Sequence, residues 1–135
     1  MAAFVSTIKP KHSPFASGGS ELLTAIERGR AIFNRADVGC NNCHPAPLYT
    51  DSSLPVTPFV IHDVATGDSP DERVGSAFDT PSLRGVWDTA PYLHDGSAPA
   101  LRDVLITRNK KDRHGSTSQL SPAEIQDLIA FLLSL

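Results

Sequence analysis

The sequence predicts an all-α domain in which a helix near each end encloses a series of long loops. Apolar residues recur every three or four positions over residues 20–34 and again over residues 125–132, which is the spacing of amphipathic helices. The connection over residues 45–81 is rich in proline, which breaks long helices. A length of 135 residues suits one domain, with residues 1–19 as a leader or linker and residues 20–135 as the folded unit.

Cap residues predict where the two helices begin. Ser20 is the expected N-cap of the first helix, and Glu21 suits its first turn, where a negative charge stabilises the helix dipole. Ser121, Pro122 and Glu124 form the pattern of a capping box, with proline at the first helical position. The last helix therefore has the stronger start signal of the two.

Three short elements are expected between these helices. Residues 59–64 suit a short strand or extended segment, and Pro81 is placed to open a single helical turn. Residues 99–106 predict a short helix because their apolar side chains share one face. Residues 107–119 are polar and basic, and they predict a loop.

Cys40, Cys43 and His44 belong to the sequence Cys-Asn-Asn-Cys-His. Two thiols three positions apart can add to the two vinyl groups of a haem, and the next imidazole can bind the iron. A structural zinc site would want a second ligand pair, and no further cysteine exists. A dithiol redox site would want a βαβ pattern, which the prolines after His44 contradict. The motif therefore predicts one covalently attached haem c, with His44 as an iron ligand.

Two further stretches carry a family resemblance. The sequences FDTPSLRG at residues 78–85 and APYLHDGS at residues 90–97 are more specific than the haem motif alone. Together with residues 29–44, they resemble the C-terminal haem domain of bacterial dihaem cytochrome c peroxidases and of MauG-like proteins. The resemblance covers roughly residues 20–135.

This resemblance implies a class I cytochrome c fold, in which the N- and C-terminal helices cross over the covalent haem. It implies that Gly29 and Phe33 meet residues 128–132 of the last helix. The peroxidases of the family use two haems, whereas this sequence has a single attachment motif. We therefore expect an electron-transfer domain rather than a peroxidase.

The ligand on the second face of the iron separates a carrier from an enzyme. The one methionine is Met1, so the His/Met pair of many small cytochromes is not expected. His114 precedes Gly115 in a loop shortly before the last helix, where class I cytochromes bring this ligand, and it is the preferred candidate for a bis-histidine site. His94 and His62 are weaker candidates, and a lysine, a tyrosine or an open site are the alternatives.

Other residues have candidate supporting roles. Arg84 and Trp87 are expected to donate hydrogen bonds to the haem propionates, against the alternatives of a surface ion pair and a core aromatic. Lys110, Lys111 and Arg113 form a basic patch on an acidic chain. That patch could attract an acidic redox partner, although a solvated charge run is the simpler interpretation.

Composition excludes several classes of protein. A net charge of −3 gives little reason to expect nucleic-acid binding, and no run of 18 apolar residues predicts a membrane span. The first residues lack a signal-peptide pattern, yet haem c is normally attached outside the cytoplasm. We therefore expect a periplasmic or secreted protein whose start was trimmed, or a piece of a larger exported chain.

The predicted function is that of a monomeric, single-haem electron carrier. It would pass one electron at a time to or from an exported redox protein or enzyme. A peroxidase-like haem enzyme with an open or displaceable sixth ligand is the first alternative. A gas-binding, sensory or purely structural haem is the second.

Overall fold

A helical frame with a small sheet forms the domain. The computed structural model describes Thr7 and residues 11–52, 60–67 and 76–135. The α-helices are α1 (Ser20–Phe33), α2 (Cys40–Cys43) and α3 (Pro122–Leu133). Shorter elements are the 3-10 helix Val86–Asp88, the π-helical turn Asp103–Thr107 and the strands β1 (Ile61–His62) and β2 (Phe78–Asp79). The predicted helical domain with long loops is therefore observed, with one two-stranded antiparallel sheet that an all-α fold lacks.

Helices α1 and α3 cross in direct contact, as the family resemblance implies. A Cβ atom on Gly29 would lie 1.9 Å from the carbonyl oxygen of Asp127, so only glycine permits this approach. Four residues later, the rings of Phe33 and Phe131 meet edge to face with their centres 5.2 Å apart. Arg28 donates two hydrogen bonds to the carboxylate of Asp127 across the same crossing, at 2.5 and 2.7 Å.

The hydrophobic core lies under this crossing. Leu128 is fully buried, and Phe33 and Phe131 are within 2% of full burial. The buried apolar cluster takes side chains from both helices and from the loops between them: Ile26, Ile32, Phe33, Val38, Val86, Leu101, Leu105, Leu128, Phe131 and Leu132. Burial of this set away from water is the main term that stabilises the fold.

The two helix starts differ in how well the sequence predicts them. The capping box of α3 is present, with the Ser121 hydroxyl accepting from the Glu124 amide and the Glu124 carboxylate accepting from the Ser121 amide. The assignment of Ser20 as the N-cap of α1 is wrong by one residue. Gly19 occupies the cap in extended backbone, and Ser20 is already helical, so no side chain caps this end.

The chain between α2 and the π-helical turn differs from the sequence prediction at Pro81. Pro81 does not open a helical turn, because Ser82 and Thr80 bind the loop over residues 48–50 and hold the chain extended. The turn starts after Gly85, whose φ of +80° reverses the chain. Helix is observed within residues 99–106, as predicted, and it passes into the π-helical turn. The extended segment expected over residues 59–64 contains β1, and its first residue lies outside the described residues.

Residues 11–19 contact the domain. Ser13 is buried, and its hydroxyl donates a hydrogen bond to the carbonyl oxygen of Leu133 at the end of α3. The division into residues 1–19 and 20–135 stays a prediction, and residues 1–6 and 8–10 lie outside the described residues. None of the described helices is long and apolar enough to cross a membrane.

Candidate haem site

A cavity of about 630 Å³ lies beneath the crossing of α1 and α3. Its wall includes Cys40, Cys43 and His44 from the predicted attachment motif and His114 from the predicted loop before α3. Core side chains such as Phe33 and Leu128 close it from the helix side. The volume falls in the range of pockets that bind cofactors. The fold thus brings the predicted attachment residues and the preferred second ligand to one cavity.

Helix α2 is a single turn that presents the attachment residues. It begins after Gly39, whose φ of +83° turns the chain into the helix. Cys40 and Cys43 are three positions apart and therefore share a face, and both thiols are free. His44 follows directly, and its Nδ1 lies 3.0 Å from the carbonyl oxygen of Tyr49. Because a carbonyl only accepts, Nδ1 carries the proton and Nε2 keeps a lone pair for a metal.

Tyr49 connects this ligand to the core. Its backbone has a φ of +53°, which side-chain-bearing residues rarely adopt. Its ring packs edge-on against Phe33 and Phe131, with ring centres 5.9 and 6.1 Å apart respectively. Its carbonyl oxygen also accepts from the amide of Leu83. The oxygen that orients His44 is therefore held by the aromatic core.

Burial sets the protonation of the site. It raises the pKa of Cys40 to about 11 and also raises that of Cys43, so both groups are neutral thiols near pH 7 rather than redox-active thiolates. Burial lowers the pKa of His44. Burial and then the nearby His44 lower the pKa of His114 to about 4. Both imidazoles are therefore neutral, which is the form that binds metals.

His114 faces His44 inside the cavity. The centres of the two rings lie 6.5 Å apart, and their planes differ by 32°. The Nδ1 of His114 is buried and forms no hydrogen bond with the residues that the structure describes. A buried polar nitrogen without a hydrogen-bond partner costs free energy unless another group binds it. Two vinyl-reactive thiols and two neutral imidazoles are a donor set that suits haem c.

The other two candidate histidines have different surroundings. Nε2 of His62 lies 2.6 Å from the carboxylate of Asp51, which makes a hydrogen-bonded pair at the cavity wall. The imidazole of His94 is exposed and stacks on Phe78, with ring centres 4.3 Å apart. Both line the cavity, but His114 is the one whose ring faces His44 at close range within the described residues.

The residues predicted to hold the propionates flank the cavity wall without belonging to it, since Leu83 and Val86 beside them line the cavity. Arg84 is exposed, and neither it nor Trp87 is among the residues of the cavity wall. The indole N–H of Trp87 is buried and unpaired among the described residues. Arg113 does line the cavity, with its guanidinium 2.9 Å from the Asp63 carboxylate. Its position directly before His114 could have indicated that Arg113 lies at the site, but the sequence analysis assigned this residue only to the basic patch.

Comparison with known proteins finds relatives among cytochrome c proteins. The family described as RoxA-like, cytochrome c-like matches residues 77–114. The chain is 31% identical to hydrazine synthase subunit gamma of Kuenenia stuttgartiensis over 100% of its own length and 48% of that protein. It is 31% identical to MauG of Methylophilus methylotrophus over 100% of its own length and 45% of that protein. Cytochrome-c peroxidase IdrP2 of Pseudomonas sp. strain SCT is 40% identical over 64% of this chain and 25% of that protein.

A solved structure shows the same fold. A chain of Kuenenia stuttgartiensis hydrazine synthase, pressurised with xenon, superposes with a TM-score of 0.78 and 27% identity, covering 98% of this chain and 52% of that one. The chain spans about half the length of the first two curated relatives. Residues 77–114 therefore match a RoxA-like cytochrome c domain, and the chain is homologous to hydrazine synthase subunit gamma, MauG and cytochrome c peroxidases.

Proposed function

We propose that this domain holds one haem c between His44 and His114 and transfers single electrons. The observation that carries the proposal is the 6.5 Å separation of the two ring centres across the cavity. Metal–imidazole bonds are about 2 Å long, so two imidazoles on opposite sides of one iron have ring centres roughly 6 Å apart. The observed spacing leaves room for one iron between them.

When bound, the haem supplies an iron that alternates between the ferrous and ferric states. The chain's own residues then set the environment of that iron. Cys40 and Cys43 anchor the group covalently, and the Tyr49 carbonyl keeps His44 in one tautomer and orientation. The apolar wall under α1 and α3 excludes water, so the group changes charge with little solvent rearrangement.

Two imidazole ligands favour a carrier over an enzyme. If His44 and His114 both bound the haem iron, peroxide would find no free ligand position unless His114 dissociated. Imidazole donates more strongly than a thioether and stabilises ferric iron, so the reduction potential should lie below that of a His/Met cytochrome.

Optical and EPR spectra of the wild type and His114→Ala test this proposal. The wild type should be low-spin with one haem per chain, and His114→Ala should become high-spin and bind cyanide. His94→Ala is the matched control and should keep the wild-type spectrum, because its ring stacks on Phe78 instead of facing His44. A low-spin His114→Ala variant with an unchanged spectrum would overturn the ligand assignment.

A peroxidase-like haem is the second candidate. The similarity to cytochrome-c peroxidase IdrP2, at 40% identity over 91 residues, favours it. It predicts a high-spin ferric wild type that turns over peroxide in the presence of an electron donor. Absence of turnover by a fully haem-loaded, low-spin protein would eliminate it.

The proposed setting is an exported protein, monomeric, without nucleic-acid or membrane binding, that serves an exported redox partner. Lys110 and Lys111 are exposed beside Arg113, and Arg113 lines the cavity. Arg113 would therefore lie close to the haem, and Lys110 and Lys111 are exposed on the same loop. An acidic patch on the partner suits this surface, since opposite charge accelerates encounter.

A further inference from the structure

The buried side chain of Asn109 holds the backbone on both sides of His114. It is 5% exposed. Its Oδ1 accepts from the amide of His114 at 2.8 Å, and its Nδ2 donates to the carbonyl oxygen of Gly115 at 2.7 Å. The same Nδ2 lies 2.9 Å from the hydroxyl of Thr117 and 3.3 Å from the carbonyl oxygen of His114.

Thr117 connects this amide to the core. Its side chain is buried, and its hydroxyl donates to the carbonyl oxygen of Leu105 at 2.6 Å. That carbonyl belongs to the π-helical turn, and Leu105 is part of the buried cluster. The hydrogen bonds therefore form a chain from the core, through Thr117 and Asn109, to the backbone of His114.

Backbone contacts hold the loop on its other side. Ser116 donates to the carbonyl oxygen of Val38 at 2.8 Å. A Cβ atom on Gly115 would lie 3.2 Å from that same oxygen and 3.6 Å from the Cys40 sulfur. The loop is thus packed against the segment that leads into the attachment motif. Asp112 also accepts hydrogen bonds from the amides of Thr117 and Ser118, but the side-chain bonds to the backbone of His114 come from Asn109.

We propose that Asn109 is the positioning residue for His114. The inference rests on the proposed function, in which His114 binds the iron. Asn109 is not part of the cavity wall and acts through the backbone alone. By fixing the amide and carbonyl groups around His114, it removes the conformational freedom that would let the imidazole leave the iron.

The kinetics of cyanide binding to the ferric, haem-loaded protein test this role, because cyanide can bind only after His114 dissociates. Asn109→Ala and Asn109→Asp should both bind cyanide about tenfold faster than the wild type and show a new high-spin fraction, since each loses the buried amide donor. Thr117→Val keeps the shape of its side chain, removes the hydroxyl link and should give a smaller acceleration.

A destabilised control variant separates loss of His114 positioning from a general loss of stability. Ser121→Ala removes the cap of α3 and should lower the melting temperature, yet it leaves the bonds to His114 intact and should keep the wild-type cyanide rate. Folded Asn109 variants that bind cyanide at the wild-type rate would overturn the inference, as would equal acceleration in Ser121→Ala. If His114→Ala matches the wild type in spectrum and cyanide rate, the ligand assignment itself fails.

Discussion

The two sides of the haem cavity are built in different ways. On the His44 side, three local hydrogen bonds close the segment that carries the ligand: His44 to Tyr49, Tyr49 to Pro45, and Asp51 to Cys43. On the His114 side, the local bond from Asn109 is joined by bonds to distant parts of the chain, through Ser116 to Val38 and through Thr117 to Leu105. One ligand is placed because it follows the attachment cysteines, and the other because a folded core holds its loop.

Loss of both attachment thiols is the largest expected effect on the His44 side. Cys40→Ser/Cys43→Ser should abolish covalent haem, because the hydroxyl of serine does not form the thioether. Haem staining after denaturing electrophoresis and the pyridine haemochrome spectrum measure the result. Asn41→Ala, at an exposed position between the cysteines, is the control and should keep one haem per chain. Covalent haem in the double variant would contradict the attachment assignment.

Gly29→Ala should destabilise the His44 side and the His114 side together, because the crossing of α1 and α3 covers the whole cavity. Its Cβ would meet the Asp127 carbonyl at 1.9 Å, so the helices must separate, at a cost of about 3 kcal/mol or more. Chemical denaturation measures the free energy of unfolding. Gly19→Ala meets nothing within 4 Å and should change stability by less than about 0.5 kcal/mol. Equal stability of the two variants would disprove the role of the close crossing.

Two glycines allow a matched comparison of the His44 side and the His114 side of the cavity. Gly39 and Gly115 have φ values of +83° and +80°, so alanine at either position should cost about 1 kcal/mol in backbone strain. Gly115→Ala should cost more, about 2 kcal/mol, because its Cβ approaches the Val38 carbonyl at 3.2 Å. Only Gly115→Ala should add a high-spin fraction to the ferric spectrum. The same high-spin fraction in Gly39→Ala would show that the sides are not independent.

The charge of the His114 loop should have the smallest effect on folding. Lys110→Glu/Lys111→Glu should change stability by less than about 0.5 kcal/mol, because both side chains are exposed. At low salt, it should slow oxidation of the reduced protein by ferricyanide about threefold to tenfold, since the anionic reagent loses its attraction.

The control for this charge effect is Lys11→Glu/Arg30→Glu, which alters net charge equally at residues that do not belong to the His114 loop. It should have a weaker effect on the rate, and high salt should remove the difference between the two variants. Equal slowing by both variants would mean that net charge, and not the position of Lys110 and Lys111, governs the rate.

Patterns that act over a few residues predicted well. The capping box at Ser121 and the helix within residues 99–106 are both observed. The close contact at Gly29, which the family resemblance implied, is also observed. Ser20 and Pro81 were misassigned, because a cap or a proline at the first helical position is defined by hydrogen bonds that neighbouring segments can redirect. The assignment of Arg84 and Trp87 to the haem propionates stays a prediction, and neither residue belongs to the cavity wall.

By itself, the sequence predicted the cofactor class and one candidate ligand, since Cys40, Cys43 and His44 are adjacent and one helical turn aligns them. The family resemblance of the sequence also implied which helices cross, and that crossing is observed. Only the tertiary structure decided that the ring of His114 faces His44 at 6.5 Å and that Asn109 holds its backbone. The first relation joins residues distant along the chain, whose separation is set by packing of the core. The second spans only five residues, but it joins a side chain to the backbone of a folded loop, which no spacing pattern in the sequence predicts.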